Sequence, residues 1–182
     1  MKKLLVIIDM VNGFVKEGNL ADEKINIITP SVISLIKEFI SKGEPIITFR
    51  DSHSIDDPEM KDYPVHCLKG TYESLLIDEL VPFKDHFLDI EKNTTNGFET
   101  NLFKDYIKNN YFDEVIVTGC CTDICVEAFA KSLQSYIINN NLKTKIIIFE
   151  KCVYTFDSNS HNAITCHKES LERLKASGVI IK

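Results

Sequence analysis

Short runs of consecutive apolar residues alternate along the chain with longer stretches in which apolar residues recur every three or four positions. The runs are typical of strands buried on both faces of a sheet, and the recurring pattern is typical of helices packed on one side. The predicted strands are Leu4–Ile8, Pro45–Phe49, Phe87–Ile90, Val115–Val117, Lys145–Phe149 and Val179–Ile181. The predicted helices are Thr29–Ile40, Thr71–Leu80, Phe98–Ile107, a segment from Thr122 or Asp123 to about Asn139, and Asn162–Ala176.

This alternation predicts an α/β fold, because strand–helix–strand units build parallel sheets. We expect a three-layer, doubly wound and mostly parallel sheet of five to six strands with helices on both faces. The chain has 182 residues, which is the length of one ordinary domain. No internal repeat or low-complexity segment interrupts the pattern, so residues 1–182 are predicted to form a single domain.

Polar residues and glycines mark the expected ends of two helices. Thr29 can cap the first long helix, where Pro30 is tolerated in the first turn and Gly43 suits the end. Thr122 or Asp123 can cap the later helix, because a short side-chain oxygen accepts hydrogen bonds from the free N–H groups of a first turn.

Four predicted strands end in residues that carry useful chemistry: Asp9, Asp51, Lys92 and the turn that leads to Cys125. The carboxyl ends of parallel strands meet at one edge of a sheet, so these side chains are expected to converge. Cys125 falls in the first turn of a helix, where the helix dipole favours the thiolate and backbone N–H groups can face an oxyanion. A nucleophilic cysteine also needs a base and a cation, and Asp9 and Lys92 provide one of each. Taken singly, each residue is better explained as a buried structural cysteine or a solvated charge.

The long polar loop Ser52–Gly70 contains a second group of candidate residues. A loop of this length is usually functional or disordered. Together with Asp51 it carries His53, Glu59 and His66, and mixed carboxylate and imidazole donors suit Zn²⁺, Mn²⁺ or Fe²⁺. The spacing matches none of the common zinc motifs, so a solvated loop without metal is an equally good interpretation of these residues alone.

The composition excludes several classes of partner. The net charge of −6 comes from mixed acidic and basic residues without a basic stripe, so we expect no nucleic-acid partner. The apolar run Leu4–Ile8 is too short for a signal peptide or a membrane span, so we expect no membrane partner. The six cysteines lack the regular spacing of a secreted disulfide scaffold, which favours a reducing cytoplasm. Cys120, Cys121 and Cys125 are disfavoured as zinc ligands, because adjacent cysteines diverge and no second cluster completes a site.

Several motifs, spread over nearly the whole chain, resemble those of a known family. Three of them resemble the isochorismatase-like cysteine hydrolases: Asp9-x-x-Asn12-x-Phe14, Lys92 with Phe98 six residues later, and Gly119-x-x-Thr122-Asp123-x-Cys125-Val126. A fourth resembles the nicotinamidase (pyrazinamidase) branch of that family: Asp51-x-His53 followed by Tyr63-Pro64-x-His66-Cys67.

The resemblance implies a role for each residue of a catalytic triad. Cys125 would be the nucleophile, Asp9 the general base and acid, and Lys92 the cation that lowers the pKa of the thiol. It also implies a cis peptide bond between Cys120 and Cys121. That bond would turn the N–H of Cys121 towards the oxyanion, beside the N–H of Cys125.

The resemblance also implies one divalent metal ion, Zn, Mn or Fe, that coordinates the pyridine nitrogen of the substrate. The expected metal ligands are Asp51, His53, Glu59 and His66. Phe14 and Tyr63 would stack on the two sides of the substrate ring. The chain departs from the family in having no third histidine in the metal loop, and in having Tyr63 where tryptophan is frequent.

The expected function is therefore a metal-dependent amidohydrolase that converts nicotinamide to nicotinate and ammonia through a thioester, with pyrazinamide as a second candidate substrate. Two alternatives stay open. One is a related enzyme that acts on a ureido or carbamoyl compound without the metal, and the other is a non-catalytic binding domain of the same fold. The sequence does not decide whether the chain forms a homo-oligomer.

Overall fold

The computed structural model describes all residues, Met1–Lys182. Six strands form one sheet: β1 Lys3–Ile8, β2 Ile46–Asp51, β3 Phe87–Lys92, β4 Glu114–Cys120, β5 Lys145–Tyr154 and β6 Ile180–Ile181. Five α-helices connect them: α1 Asn12–Val15, α2 Thr29–Lys42, α3 Asn101–Asn109, α4 Glu127–Asn139 and α5 Ala163–Ala176. The strand order is β3-β2-β1-β4-β5-β6, and every neighbouring pair is parallel. The predicted three-layer α/β fold is confirmed, with a sheet that is entirely parallel.

Each face of the sheet has its own hydrophobic core. Along β1, Leu4, Val6 and Ile8 face the core formed with α3, α4 and α5, whereas Leu5 and Ile7 face the core formed with α1 and α2. All five residues are buried, because strands in the middle of a parallel sheet are covered on both faces. The order of the strands reverses between β1 and β4, and a ligand site is expected at the carboxyl ends of those two strands.

The prediction of a helix at Thr71–Leu80 is wrong. The structure has one 3-10 turn, Tyr72–Ser74, and then an extended segment that runs beside the start of α1. Leu76 forms a bridge with Val11, and Ile77 donates a backbone hydrogen bond to the carbonyl group of Met10. Because Leu76 and Ile77 are buried by these contacts, tertiary packing outweighs the local preference for a helix.

The prediction that Thr122 or Asp123 caps the following helix is also wrong. The segment Thr122–Val126 is one turn of π-helix, and no side chain caps its first residue. The Thr122 hydroxyl lies 2.9 Å from His167 Nδ1 on α5, and Asp123 Oδ2 lies 2.7 Å from His161 Nε2. Both side chains therefore connect this turn to a distant segment of the chain.

Other boundaries differ by smaller amounts. Thr29 begins α2 as expected, but its hydroxyl bonds to Asn26 and does not cap the helix. Gly43 ends α2 in the left-handed conformation, as predicted. The Ser52–Gly70 loop contains a 3-10 turn at Pro58–Lys61. No helix of the structure combines the length and the apolar character that crossing a bilayer requires.

Candidate active site

The three charged residues predicted at strand ends meet in one buried ion cluster. Lys92 Nζ lies 2.8 Å from Asp9 Oδ2 and donates a hydrogen bond of 2.7 Å to Asp51 Oδ1. The register of the sheet produces this arrangement, because Asp51 pairs with Lys92 across β2 and β3, and Asp9 directly follows β1. All three side chains are at most 4% exposed.

Gly119 brings the turn that carries Cys125 close to Asp9. A Cβ atom at residue 119 would lie 1.9 Å from the carbonyl oxygen of Ile8, and φ at this glycine is +110°. Only glycine allows β4 to approach β1 so closely. The approach is completed by the Cys120 thiol, which donates to the backbone oxygen of Asp9 at 3.1 Å.

Asp9 is suited to accept and release a proton. Burial raises its pKa from 3.8 to about 6, and the nearby charge of Lys92 opposes that rise. Neither carboxylate oxygen accepts a hydrogen bond of good geometry from the protein, although Lys92 lies at ion-pair distance. A buried carboxylate whose pKa is close to neutrality is a good general base and acid.

The Cys125 side chain is buried, and its environment differs from the one expected at a helix start. Burial raises the pKa of the Cys125 thiol well above its usual value, Lys92 lowers it, and the carboxylates of Asp9 and Asp51 raise it further. The local field therefore keeps the proton on the sulfur in the resting protein. A cysteine in this setting needs a base to become a nucleophile, and Asp9, whose pKa an interaction with the Cys125 side chain lowers, is the candidate for that role.

The peptide bond between Cys120 and Cys121 is cis, as the family resemblance implied. Cys121 is half-buried and lines the same cavity as Cys125. The two residues predicted to form an oxyanion hole therefore border one space.

Three of the four predicted metal ligands form a compact buried group. One ligand atom each of Asp51, His53 and His66 lies within 4.8 Å of the other two. The Nε2 atoms of His53 and His66 lie 3.0 and 3.2 Å from Asp51 Oδ2. One carboxylate and two imidazoles are a donor set that fits Zn²⁺, Mn²⁺ or Fe²⁺.

The outer nitrogens of both histidines have partners of the kind found around metal sites. His53 Nδ1 lies 3.2 Å from a carboxylate oxygen of Asp57, and His66 Nδ1 lies 2.7 Å from the carbonyl oxygen of Pro64. Donation at Nδ1 leaves each Nε2 free to bind a metal. Asp57 was missed by the sequence reasoning, although its position four residues after His53 was a signal.

Glu59 lies at the border of this group. Its Oε2 atom is 3.6 Å from His53 Nε2, and its Oε1 atom accepts hydrogen bonds from the backbone N–H and hydroxyl of Thr95, at 2.5 and 2.8 Å. One oxygen is thus held by the protein, and the other faces the histidines. The position of Glu59 is compatible with a fourth ligand, which stays a prediction.

A cavity of about 320 Å³ joins the predicted nucleophile to the predicted metal group. The predicted site residues that line it are Phe14, Asp51, Glu59, Tyr63, His66, Cys121 and Cys125. Phe14 and Tyr63 both lie near His66, with ring centroids 5.8 and 6.2 Å from the imidazole. The lining contains four acidic residues and no lysine or arginine.

Comparison with known proteins agrees with this geometry. The sequence model of the isochorismatase domain matches residues 3–181. The chain belongs to the isochorismatase family. Nicotinamidase 1 of Arabidopsis thaliana is 34% identical to this family member over 176 residues, which cover 87% of this chain and 72% of that protein.

Two solved structures of the family extend the comparison. Nicotinamidase PncA from Bacillus subtilis has a TM-score of 0.84 and 25% identity, with 100% of this chain and 99% of that chain covered. N-carbamoylsarcosine amidase from Thermoplasma acidophilum has a TM-score of 0.80 and 29% identity, with 100% of this chain and 96% of that chain covered. The predicted family and its nicotinamidase branch are confirmed.

Proposed function

We propose that this isochorismatase-family protein is a metal-dependent cysteine amidohydrolase that converts nicotinamide to nicotinate and ammonia. The observation that carries the proposal is the shared cavity, which is lined by Cys125 together with Asp51 and His66. Lys92 connects the candidate base to the metal group, because its ammonium group contacts both Asp9 and Asp51. The similarity to nicotinamidases from a plant and a bacterium supports the same reaction.

The first half of the reaction forms a thioester. Asp9 takes the proton from Cys125, and the sulfur attacks the carbonyl carbon of the amide. The N–H groups of Cys121 and Cys125 stabilise the oxyanion, and each such donor contributes about 3 kcal/mol in comparable sites. Asp9 then gives the proton to the leaving nitrogen, the carbon–nitrogen bond breaks, and ammonia departs.

The second half restores the thiol. Asp9, again ionised, takes a proton from a water molecule that attacks the thioester carbon, and the carbon–sulfur bond breaks. The proton returns to the Cys125 sulfur, and the carboxylic acid product loses its own proton to solvent and leaves as nicotinate. Lys92 stays protonated throughout, because the charges of Asp9, Cys125 and Asp51 outweigh burial and raise its pKa well above the usual value.

The metal would be held by Asp51, His53 and His66, with Glu59 as the fourth protein ligand. The chemistry that a bound divalent ion supplies here is coordination of the pyridine nitrogen, which orients the ring. Lys92, His53 and His66 hold the pKa of Asp51 well below its usual range against the effect of burial. Asp51 is therefore an anionic donor at neutral pH.

The shape of the cavity supports a small aromatic amide. Phe14 and Tyr63 supply two aromatic rings next to the metal group, where they can stack on a pyridine or pyrazine. Pyrazinamide is the second candidate substrate, since it differs from nicotinamide by one ring nitrogen.

The 29% identity to N-carbamoylsarcosine amidase favours a second candidate, a carbamoyl amidohydrolase. A substrate of that class that carries a carboxylate needs a cation in its pocket. The cavity lining offers the acids Asp22, Asp51, Glu59 and Asp157, with no lysine or arginine. Charge complementarity therefore favours a neutral amide such as nicotinamide.

The experiment is to measure ammonia release from nicotinamide by the purified, metal-loaded protein. Cys125→Ala should abolish turnover, whereas Cys166→Ala, at a half-buried thiol on α5, should leave it unchanged. Activity that is lost after chelation and restored by Zn²⁺, Mn²⁺ or Fe²⁺ would separate this function from the carbamoyl alternative. Turnover in the Cys125→Ala protein would contradict the mechanism, and metal-loaded protein that binds nicotinamide but releases no ammonia would favour a binding domain.

All six cysteines are free thiols in the structure. Four of them are buried without a disulfide partner, which supports a reducing compartment such as the cytoplasm as the place where the enzyme acts.

A further inference from the structure

The loop between β5 and α5 carries a third aromatic residue into the cavity. Phe156 lies two residues after the end of β5 and is half-buried. Phe156, Asp157 and Ser158 line the same space as Phe14 and Cys125. No residue of this loop takes part in the proposed reaction.

His161 holds the ring of Phe156 in place. The two rings are stacked, with centroids 3.9 Å apart and planes 8° from parallel. His161 Nδ1 also donates to the backbone oxygen of Phe156 at 2.9 Å. Ser158 and His161 exchange backbone hydrogen bonds, so the loop closes on itself.

His161 in turn connects this loop to the nucleophile turn. Its Nε2 atom lies 2.7 Å from Asp123 Oδ2, and the two side chains are 18% and 12% exposed. Asp123 lies between Cys121 and Cys125, the two residues assigned to the oxyanion hole. His161 therefore fixes the Phe156 ring relative to the turn that carries Asp123 and Cys125.

A second set of contacts ties the loop to the segment that carries Asp22 and Lys24. The N–H of Asp157 donates to Asp22 Oδ2 at 2.8 Å, and Lys24 Nζ donates to Asp157 Oδ2 at 3.0 Å. Asp22 also lines the cavity. Loops with so many anchors lose less conformational entropy when a ligand binds, which increases affinity.

We propose that Phe156 is a specificity-determining residue that packs on the ring of the substrate, and that His161 is the residue that positions it. The inference rests on the proposed function, because it assumes that an aromatic amide occupies the cavity. Phe14 and Tyr63 lie beside His66, near the metal group, whereas Phe156 is bonded through His161 to the turn of Cys125. We therefore expect Phe156 to contact the ring at the end that carries the carboxamide, because its anchor lies in the turn of Cys125.

The direct test is nicotinamide binding to zinc-loaded protein in the Cys125→Ala background, measured by calorimetry without turnover. Phe156→Ala should weaken binding on the order of tenfold, because an aromatic contact and its buried area are lost. Phe156→Tyr keeps the ring and should bind within about twofold of the parent. Phe149→Ala is the matched control, since Phe149 is a half-buried ring on β5 that does not line the cavity.

A kinetic test addresses His161 in the protein with its nucleophile. His161→Ala should raise KM for nicotinamide several-fold and change kcat by less than about threefold, because the reacting groups stay in place. A merely structural role would lower the amount of folded protein without moving KM.

The outcomes separate the two proposals. Binding that Phe156→Ala leaves unchanged, or equal losses in Phe156→Ala and Phe149→Ala, would overturn the inference and leave the proposed function standing. A Cys125→Ala protein that binds no nicotinamide would overturn both.

Discussion

Replacing Asp9 by asparagine should separate activity from stability. The side chain keeps its shape in Asp9→Asn, but it can no longer take a proton from Cys125. Lys92 keeps one counter-ion, because Asp51 Oδ1 still lies 2.7 Å from its Nζ atom. The ion cluster therefore does not leave an unpaired buried ammonium group.

The expected loss of activity follows from the role of a general base and acid. Such groups contribute roughly 10²- to 10⁴-fold to rates, which corresponds to about 3–5 kcal/mol of transition-state stabilisation. Stability, by contrast, is not expected to fall in Asp9→Asn. A pKa that burial raises from 3.8 to about 6 means that ionised Asp9 costs the folded state up to roughly 3 kcal/mol at neutral pH. A neutral isostere avoids that cost, so the free energy of unfolding should stay equal or rise.

The assays are ammonia release from nicotinamide and urea unfolding at neutral pH. Asp89→Asn is the matched control, since Asp89 lies on β3, pairs with Arg50 at the surface and is absent from the cavity lining. It should keep full activity and lose a little stability. Activity of Asp9→Asn within tenfold of the parent, with the folded structure retained, would refute the assignment of Asp9 as base.

Three further predictions concern the metal group, the sheet and the packing of helices. Asp57→Asn should weaken zinc affinity roughly 10- to 100-fold in a chelator competition, because His53 loses an anionic partner at Nδ1; unchanged affinity would exclude this role. Gly119→Ala should give little folded protein, as circular dichroism would show, since its Cβ would overlap backbone at 1.9 Å. The third prediction concerns the pKa of Glu127, which burial alone would raise. Hydrogen bonds from Arg173 and neighbouring side chains outweigh burial and lower that pKa from 4.5 to about 2. Ionised Glu127 therefore stabilises the fold above pH 4.5, and this contribution disappears as the pH falls towards 2. The stability difference from Glu127→Gln, measured in urea, should shrink over that range, and a constant difference would contradict the ion pair.

Local pattern by itself determined the framework of this protein. Runs such as Leu4–Ile8 have no polar face, so all of their side chains are buried only if the strand lies inside a sheet that is covered on both sides. Parallel strands then place their carboxyl ends at one edge. For this reason the meeting of Asp9, Asp51 and Lys92 could be predicted from positions in the chain, and the structure brings both carboxylates within 2.8 Å of the Lys92 ammonium group.

Tertiary structure decided the features in which distant segments compete with local preference. The spacing of apolar residues in Thr71–Leu80 fits a helix, yet contacts with the end of β1 and with α1 hold it extended. Asp123 is a residue type that often caps a helix, but its side chain bonds to His161, which is 38 residues away in the chain.

The aromatic side of the cavity formed by Phe156 depends on the same long-range pairing. No periodicity marks a single phenylalanine in a loop. The residues next to it, Asp157 and His161, are held by Asp22 and Asp123 from distant parts of the chain. Periodicity is a property of consecutive residues and can be read along the chain. Side-chain pairing between distant segments depends on the order of the strands, and only the folded sheet sets that order.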